Sequence, residues 1–139
     1  KLKSRTVTAP RRLLDLKDLK ELDYLDWSPE RGLRIGALAK VRAVAGSPVA
    51  RQRYAALARG AQEIGSHQIR NRATVVGNIC NALPSADTAP PLLAHGAQVV
   101  CAGPNGERTV EFPIRQRGVG NGHSAEQPSV FGAVDRIAR

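Results

Sequence analysis

SHQIRNRATVVGNICNALPSADTAPPLL, residues 66–93, gathers the chain's most informative run of turn, cap and polar residues. Its first part, Ala73-Thr74-Val75-Val76, is rich in β-branched side chains and predicts a strand that ends in Gly77-Asn78. Residues 81–86 then form a loop with Pro84 and Ser85, and Asp87 or Ser85 caps a short helix over Thr88–His95 that Gly96 closes. Glycine at such a turn lets a phosphate or a ring approach the main chain. Backbone N–H groups there can hold an anion. Asn78 offers a donor and an acceptor, and Asp87 offers acceptors for hydroxyls. The set suits a ligand with phosphates and a polyol chain. A purely structural account is equally open from the chemistry alone: Gly77-Asn78 as a turn and Asp87 as a helix cap worth ~1 kcal/mol.

N-terminal to this run, Ser47 and Pro48 suit the start of a helix that runs to Gly65. Ala50, Tyr54, Leu57, Ala58 and Ala61 make its apolar stripe, and Arg51, Arg53, Arg59 and Glu63 lie off it. Further upstream the pattern predicts a strand over 12–16, a helical turn over 17–22, a turn at 28–32, a strand over 33–37 and a short helix over 39–45. C-terminal to the run, Gln98–Ala102 and Arg108–Phe112 flank Gly103-Pro104-Asn105-Gly106 and form a hairpin. From Pro113 the periodicity dissolves among Gly118, Gly120, Gly122 and Pro128, with only 130–138 weakly apolar, and a disordered tail is expected. The whole is α+β, with a structured part over 1–112 and a divergent tail over 113–139.

The chain has 139 residues, 42% of them apolar, which fits one small domain rather than a disordered chain. No apolar run approaches a membrane span and no secretory signal is visible. With Cys80 and Cys101 read as reduced, buried thiols, a cytoplasmic location is expected. The absence of Met marks the sequence as incomplete. The net charge is +9, all of it from residues 1–75, which hold 16 cations and 7 anions. Such a surface fits a polyanion, a phosphorylated cofactor or an acidic partner subunit, or is a solvated helix face. Nucleic acid is disfavoured because the cationic half offers only Tyr24, Trp27 and Tyr54 for stacking. There is no nucleophile elbow, zinc-protease motif or Walker loop, and Gly118-Val119-Gly120-Asn121-Gly122 follows no strand. His67, His95 and His123 are scattered and read as surface or loop residues; no metal site and no catalytic residue is assigned.

Residues from about Lys1 to Phe112 resemble the FAD-binding medium subunit of molybdenum hydroxylases, the group of carbon monoxide dehydrogenase, xanthine dehydrogenase and 4-hydroxybenzoyl-CoA reductase. The stretches that carry the likeness are RRLLDLKDLKEL, GLRIGALAKV, IGSHQIRNRATVVGNICNALPSADTAPPLLAHGAQVV and AGPNGERTV. The resemblance implies a partial FAD-binding fold of the vanillyl-alcohol-oxidase (PCMH) type. It implies an oxidoreductase component that passes electrons from an iron–sulfur partner through flavin to NAD or another acceptor. Molybdopterin and [2Fe-2S] are then expected on a molybdopterin-binding large subunit and an iron–sulfur subunit, not on this chain. FAD contacts map to Ala73, Thr74, Gly77, Asn78 and Asp87. Thr74 would donate through its hydroxyl, Gly77 and Asn78 would offer backbone and amide groups, and Asp87 would accept from FAD hydroxyls.

Three departures go with the likeness. Val76 replaces the first of two family glycines, so a side chain is expected where the main chain should meet the cofactor. The family's first FAD loop is expected ahead of Lys1. Everything after Phe112 diverges, as foreign or frameshifted sequence would. An alternative is an FAD-deficient assembly fragment whose Arg51–Arg59 helix docks an acidic partner; a basic nucleic-acid-binding domain ranks below both.

Overall fold

The computed structural model describes residues 12–81 and 85–111, and the backbone of 131–137. A 3₁₀ turn, Lys20–Leu22, leads into a hairpin of β1 (Leu25–Ser28) and β2 (Gly32–Ile35). Six helices follow: α1 (Val41–Gly46), α2 (Pro48–Arg53), α3 (Ala55–Glu63), α4 (His67–Arg72), α5 (Val75–Cys80) and α6 (Ala89–Ala94). A second hairpin joins β3 (Gln98–Gly103) to β4 (Gly106–Glu111), and β5 is Phe131–Ile137. The expected α+β class is the observed one.

The strands form one sheet in the order β1-β2-β5-β3-β4, with every neighbouring pair antiparallel. Thus β5 lies between the two hairpins and joins them. Val134 pairs with Ile35 of β2 on one side and Val99 of β3 on the other. The expectation of disorder from Pro113 onward is therefore corrected for 131–137. Too few alternating apolar positions mark this strand in the sequence, because its order comes from two waiting sheet edges. The remainder of 113–139, including the glycine-rich 118–122 and His123, lies outside the described residues.

The core is aliphatic, as the composition requires. Leu33, Ile35, Val41, Val44, Leu57, Val75, Leu92 and Val99 are all buried, with Tyr54 the one large aromatic among them. The stripe Ala50, Tyr54, Leu57, Ala58 and Ala61 is buried as its spacing predicts. The helix carrying it is split at Tyr54, which leaves the helical region at φ −133°, ψ 49°. Its ring packs edge-on against His95, with centroids 5.2 Å apart, so the bend seats the aromatic between α3 and α6. Ser47 caps α2 by accepting from the Ala50 N–H, and Pro48 opens it. Two predicted strands are not found: 12–16 has no regular structure, and Val75–Asn78 belongs to a helix that Thr74 caps.

Candidate functional site

Short β-branched runs cannot be assigned by periodicity alone, and at Thr74 the cap decides. Its side chain accepts from the Gly77 N–H at 3.0 Å, a hydroxyl N-cap that turns Val75–Cys80 into α5. Helical spacing then sends Val75, Val76 and Ile79 into the core and leaves Gly77 exposed. The Val76 side chain is buried, whereas the neighbouring Gly77 is exposed.

The structure gathers four of the five predicted positions around the first turn of α5. The Thr74 hydroxyl, having accepted from Gly77, keeps its own hydrogen to donate. Gly77 acts by lacking a side chain: a Cβ there would lie 2.8 Å from Thr74 Oγ1 and cover it. The Gly77 and Asn78 N–H groups are both used within the turn, on Thr74 Oγ1 and on the Thr74 carbonyl. They are not the free donors that the turn reading supposed. Asn78 Oδ1 accepts from the Thr88 hydroxyl at 2.6 Å, which leaves its amide N–H₂ as the donor end. Thr88 is fully buried, and the bond ties α5 to the start of α6.

That tie brings in Asp87, the neighbour of Thr88. Neither Asp87 nor Ser85 caps α6: Thr88 occupies the cap position, and its side chain makes no capping bond to the helix. The Asp87 side chain is exposed, with no partner among the described residues. Its carbonyl oxygen lies against α3, where a Cβ on Gly60 would come within 2.4 Å. Ala73 contributes differently. Its N–H donates to Ile69 and its carbonyl accepts from Val41, so it fixes where α5 begins. Thr88 and Gly60 were not singled out from sequence. A buried threonine looks like a helix start, and nothing local to Gly60 reveals the loop packed on it.

An open cleft of about 570 Å³ adjoins this turn, lined by Lys40, Arg42 and Asn71 among others. Lys40 forms an antiparallel bridge with Thr74, which makes the cleft a neighbour of the α5 turn, although none of the five positions lines it. The cysteines divide: Cys101 is buried, whereas Cys80, at the end of α5, is exposed, contrary to expectation. Partial desolvation pushes the Cys80 thiol above its ordinary range, and the nearby Cys101 adds to the effect.

Residues 1–117 match the family described as the FAD binding domain in molybdopterin dehydrogenase. The chain belongs to that family. Among its relatives, the xanthine dehydrogenase FAD-binding subunit of Escherichia coli O157:H7 is 35% identical over 100 residues, 72% of this chain and 34% of the relative. The carbon monoxide dehydrogenase medium chain of Hydrogenophaga pseudoflava is 34% identical over 108 residues, 73% of this chain and 35% of the relative. The chain thus spans about one-third of the length of these relatives. Among solved structures, a chain of CO dehydrogenase from Oligotropha carboxidovorans superposes with a TM-score of 0.81 at 27% identity, covering 99% of this chain and 47% of that one. No helix among the described residues is long and apolar enough to cross a membrane.

Proposed function

We propose that the chain is the FAD-holding part of a molybdenum-hydroxylase medium subunit, and that it holds the cofactor through Thr74, Gly77, Asn78 and Asp87. The observation that carries this reading is the Thr88–Asn78 hydrogen bond, which sets Asp87 beside the α5 turn that Thr74 caps. The residues present fit such a cofactor. Gly77 leaves open a space that any Cβ would fill, and the Thr74 hydroxyl beneath it retains a donor. Asn78 adds an amide donor, and the Asp87 carboxylate is an exposed acceptor for polyol hydroxyls.

Bound FAD would supply redox chemistry between an iron–sulfur partner and NAD or another acceptor. This chain's residues do the rest. The capped turn keeps the Thr74 hydroxyl fixed, the α5–α6 tie holds Asp87 at a set distance from it, and the buried side of α5 keeps water from beneath the turn. Ala73 sets the register of the turn through its main chain. A cytoplasmic complex with an iron–sulfur subunit and a molybdopterin-binding large subunit accords with this role.

Titration of the purified chain with FAD tests the reading through flavin fluorescence quenching and visible absorbance. Saturable binding is expected, weakened about tenfold by Asp87→Asn, the loss of one charge-assisted hydrogen bond at 1.4 kcal/mol per decade. Binding unaffected by Asp87→Asn and by Thr74→Val would overturn the assignment of these residues.

A further inference from the structure

Residues 40–75 carry Lys40, Arg42, Arg51, Arg53, Arg59, Arg70 and Arg72 against the single anion Glu63. Four of these cations are engaged within the fold. Arg51 donates through Nε to the Ala45 carbonyl at 3.0 Å, and Arg53 stacks over the Trp27 ring at 4.3 Å. Arg59 pairs with Glu63 at 2.9 Å, and Arg70 donates to the carbonyls of Ile64 and Gly65. Of the exposed arginines in the Arg51–Arg59 segment, Arg59 has an acidic partner, whereas Arg51 and Arg53 keep their charge while holding a carbonyl and an indole ring.

Of the other three cations, two line one feature and the third adjoins a lining residue in sequence. Lys40 and Arg42 line the 570 Å³ cleft together with Asn71, and Arg72 follows Asn71 on α4. Arg42 makes a long 3.4 Å contact with the neutral Asn71 side chain. Lys40 and Arg72 have no acidic partner among the described residues. Leu25, Ala43 and Gly46 give the same cleft an apolar lining, and among the described residues no carboxylate lines it.

We infer that this cleft seats an acidic edge of the partner subunit, one in which an apolar side chain is flanked by Asp or Glu. Three observations select that occupant. The positive charge is unneutralised and surrounds an apolar recess, the arrangement of a protein interface with a small hydrophobic centre and a charged rim. The aromatics are unavailable for base stacking: Tyr54 is buried, Arg53 covers Trp27, and Arg34 lies 5.4 Å from the Tyr24 ring centroid. Finally, the Lys40–Thr74 bridge makes the cleft a neighbour of the candidate flavin turn, so a protein seated there would lie beside the proposed cofactor position. The inference rests on the chain being such a subunit, and it concerns residues other than those assigned to FAD.

The test is fluorescence anisotropy of a fluorescein-labelled peptide of alternating glutamate and leucine, titrated with the full chain at low and moderate salt. Saturable binding that weakens with salt is expected, with a Kd raised at least tenfold by Arg42→Glu. The same charge change on the β3–β4 hairpin, Arg108→Glu, is expected to shift Kd by less than threefold. Arg42→Gln repeats the test without adding negative charge. Equal losses for the cleft and hairpin variants, no loss for the cleft variants, or tighter binding of a single-stranded oligonucleotide than of the peptide would each overturn the inference. FAD titration of the same variants separates the two readings: cleft variants are expected to retain the parental FAD affinity, and a lost peptide site with intact flavin binding leaves the FAD assignment standing.

Discussion

Replacing Gly60 with alanine tests how the candidate site is held together. The added Cβ would stand 2.4 Å from the Asp87 carbonyl oxygen and 3.2 Å from its carbon, whereas ordinary contact begins near 3.4 Å. The obstacle is main chain, so it cannot rotate away; the Asp87 segment has to retreat by about 1 Å. Thr88 moves with it, and its 2.6 Å bond to Asn78 stretches to about 3.6 Å, outside hydrogen-bonding range. Leaving that fully buried hydroxyl unsatisfied costs ~1–3 kcal/mol. The better helix propensity of alanine offsets ~1 kcal/mol. A net loss of ~1 kcal/mol lowers Tm by about 3–6 °C in a domain of this size. Because Asp87 has moved, FAD affinity is expected to fall about tenfold as well. Gly46→Ala is the control, since nothing lies within 4 Å of its Cβ; its Tm is expected to stay level or rise. Thermal denaturation and FAD titration of both variants read the outcome. A Gly60→Ala protein at or above the parental Tm, with unchanged FAD binding, refutes the proposed coupling from α3 through Thr88 to α5.

Three further outcomes follow from features elsewhere in the fold. Thr74→Val removes the α5 cap and is expected to cost ~1 kcal/mol, while Thr74→Ser restores it; paired chemical denaturation checks the difference. Val134→Pro takes a ladder N–H from a strand bonded on both sides and is expected to destabilise by about 3 kcal/mol or more, read as a large drop in Tm. The folded state raises the Cys80 thiol, so it favours the protonated form. Its contribution to stability is present at neutral pH and is lost as pH rises through the raised folded value. Iodoacetamide should accordingly label Cys80 more slowly in the folded chain than in urea at pH 8, and the gap should narrow in more alkaline buffer.

The sequence shows clearly those parts of the fold that local chemistry determines. The β3–β4 hairpin, the Ser47-Pro48 start of α2 and the stripe from Ala50 to Ala61 are all where the residues put them. Local chemistry also misleads where two rules compete. Val75 and Val76 favour a strand by their branching, yet the Thr74 hydroxyl can cap only a helix, and burial of Val75, Val76 and Ile79 on one side settles the contest. Tyr54 breaks a helix that its spacing would continue, because its ring has a place beside His95. The strand Phe131–Ile137 has little local signal, since its partners are remote in sequence. At the candidate site, residue types at 74, 77, 78 and 87 were legible, but the contacts that assemble them, through Thr88 and Gly60, depend on tertiary packing.

The placement of β5 has a consequence for how the protein is made. Helices α1 to α6 and each hairpin close on near neighbours and can begin to form while the chain is still being translated. The sheet cannot: Leu33 waits for Ile137, more than a hundred residues later, and until then two hairpins are held apart with bare edges. Nascent chains stalled before residue 131 should thus present strand edges that recruit chaperones, and release of the final strand should switch that recruitment off.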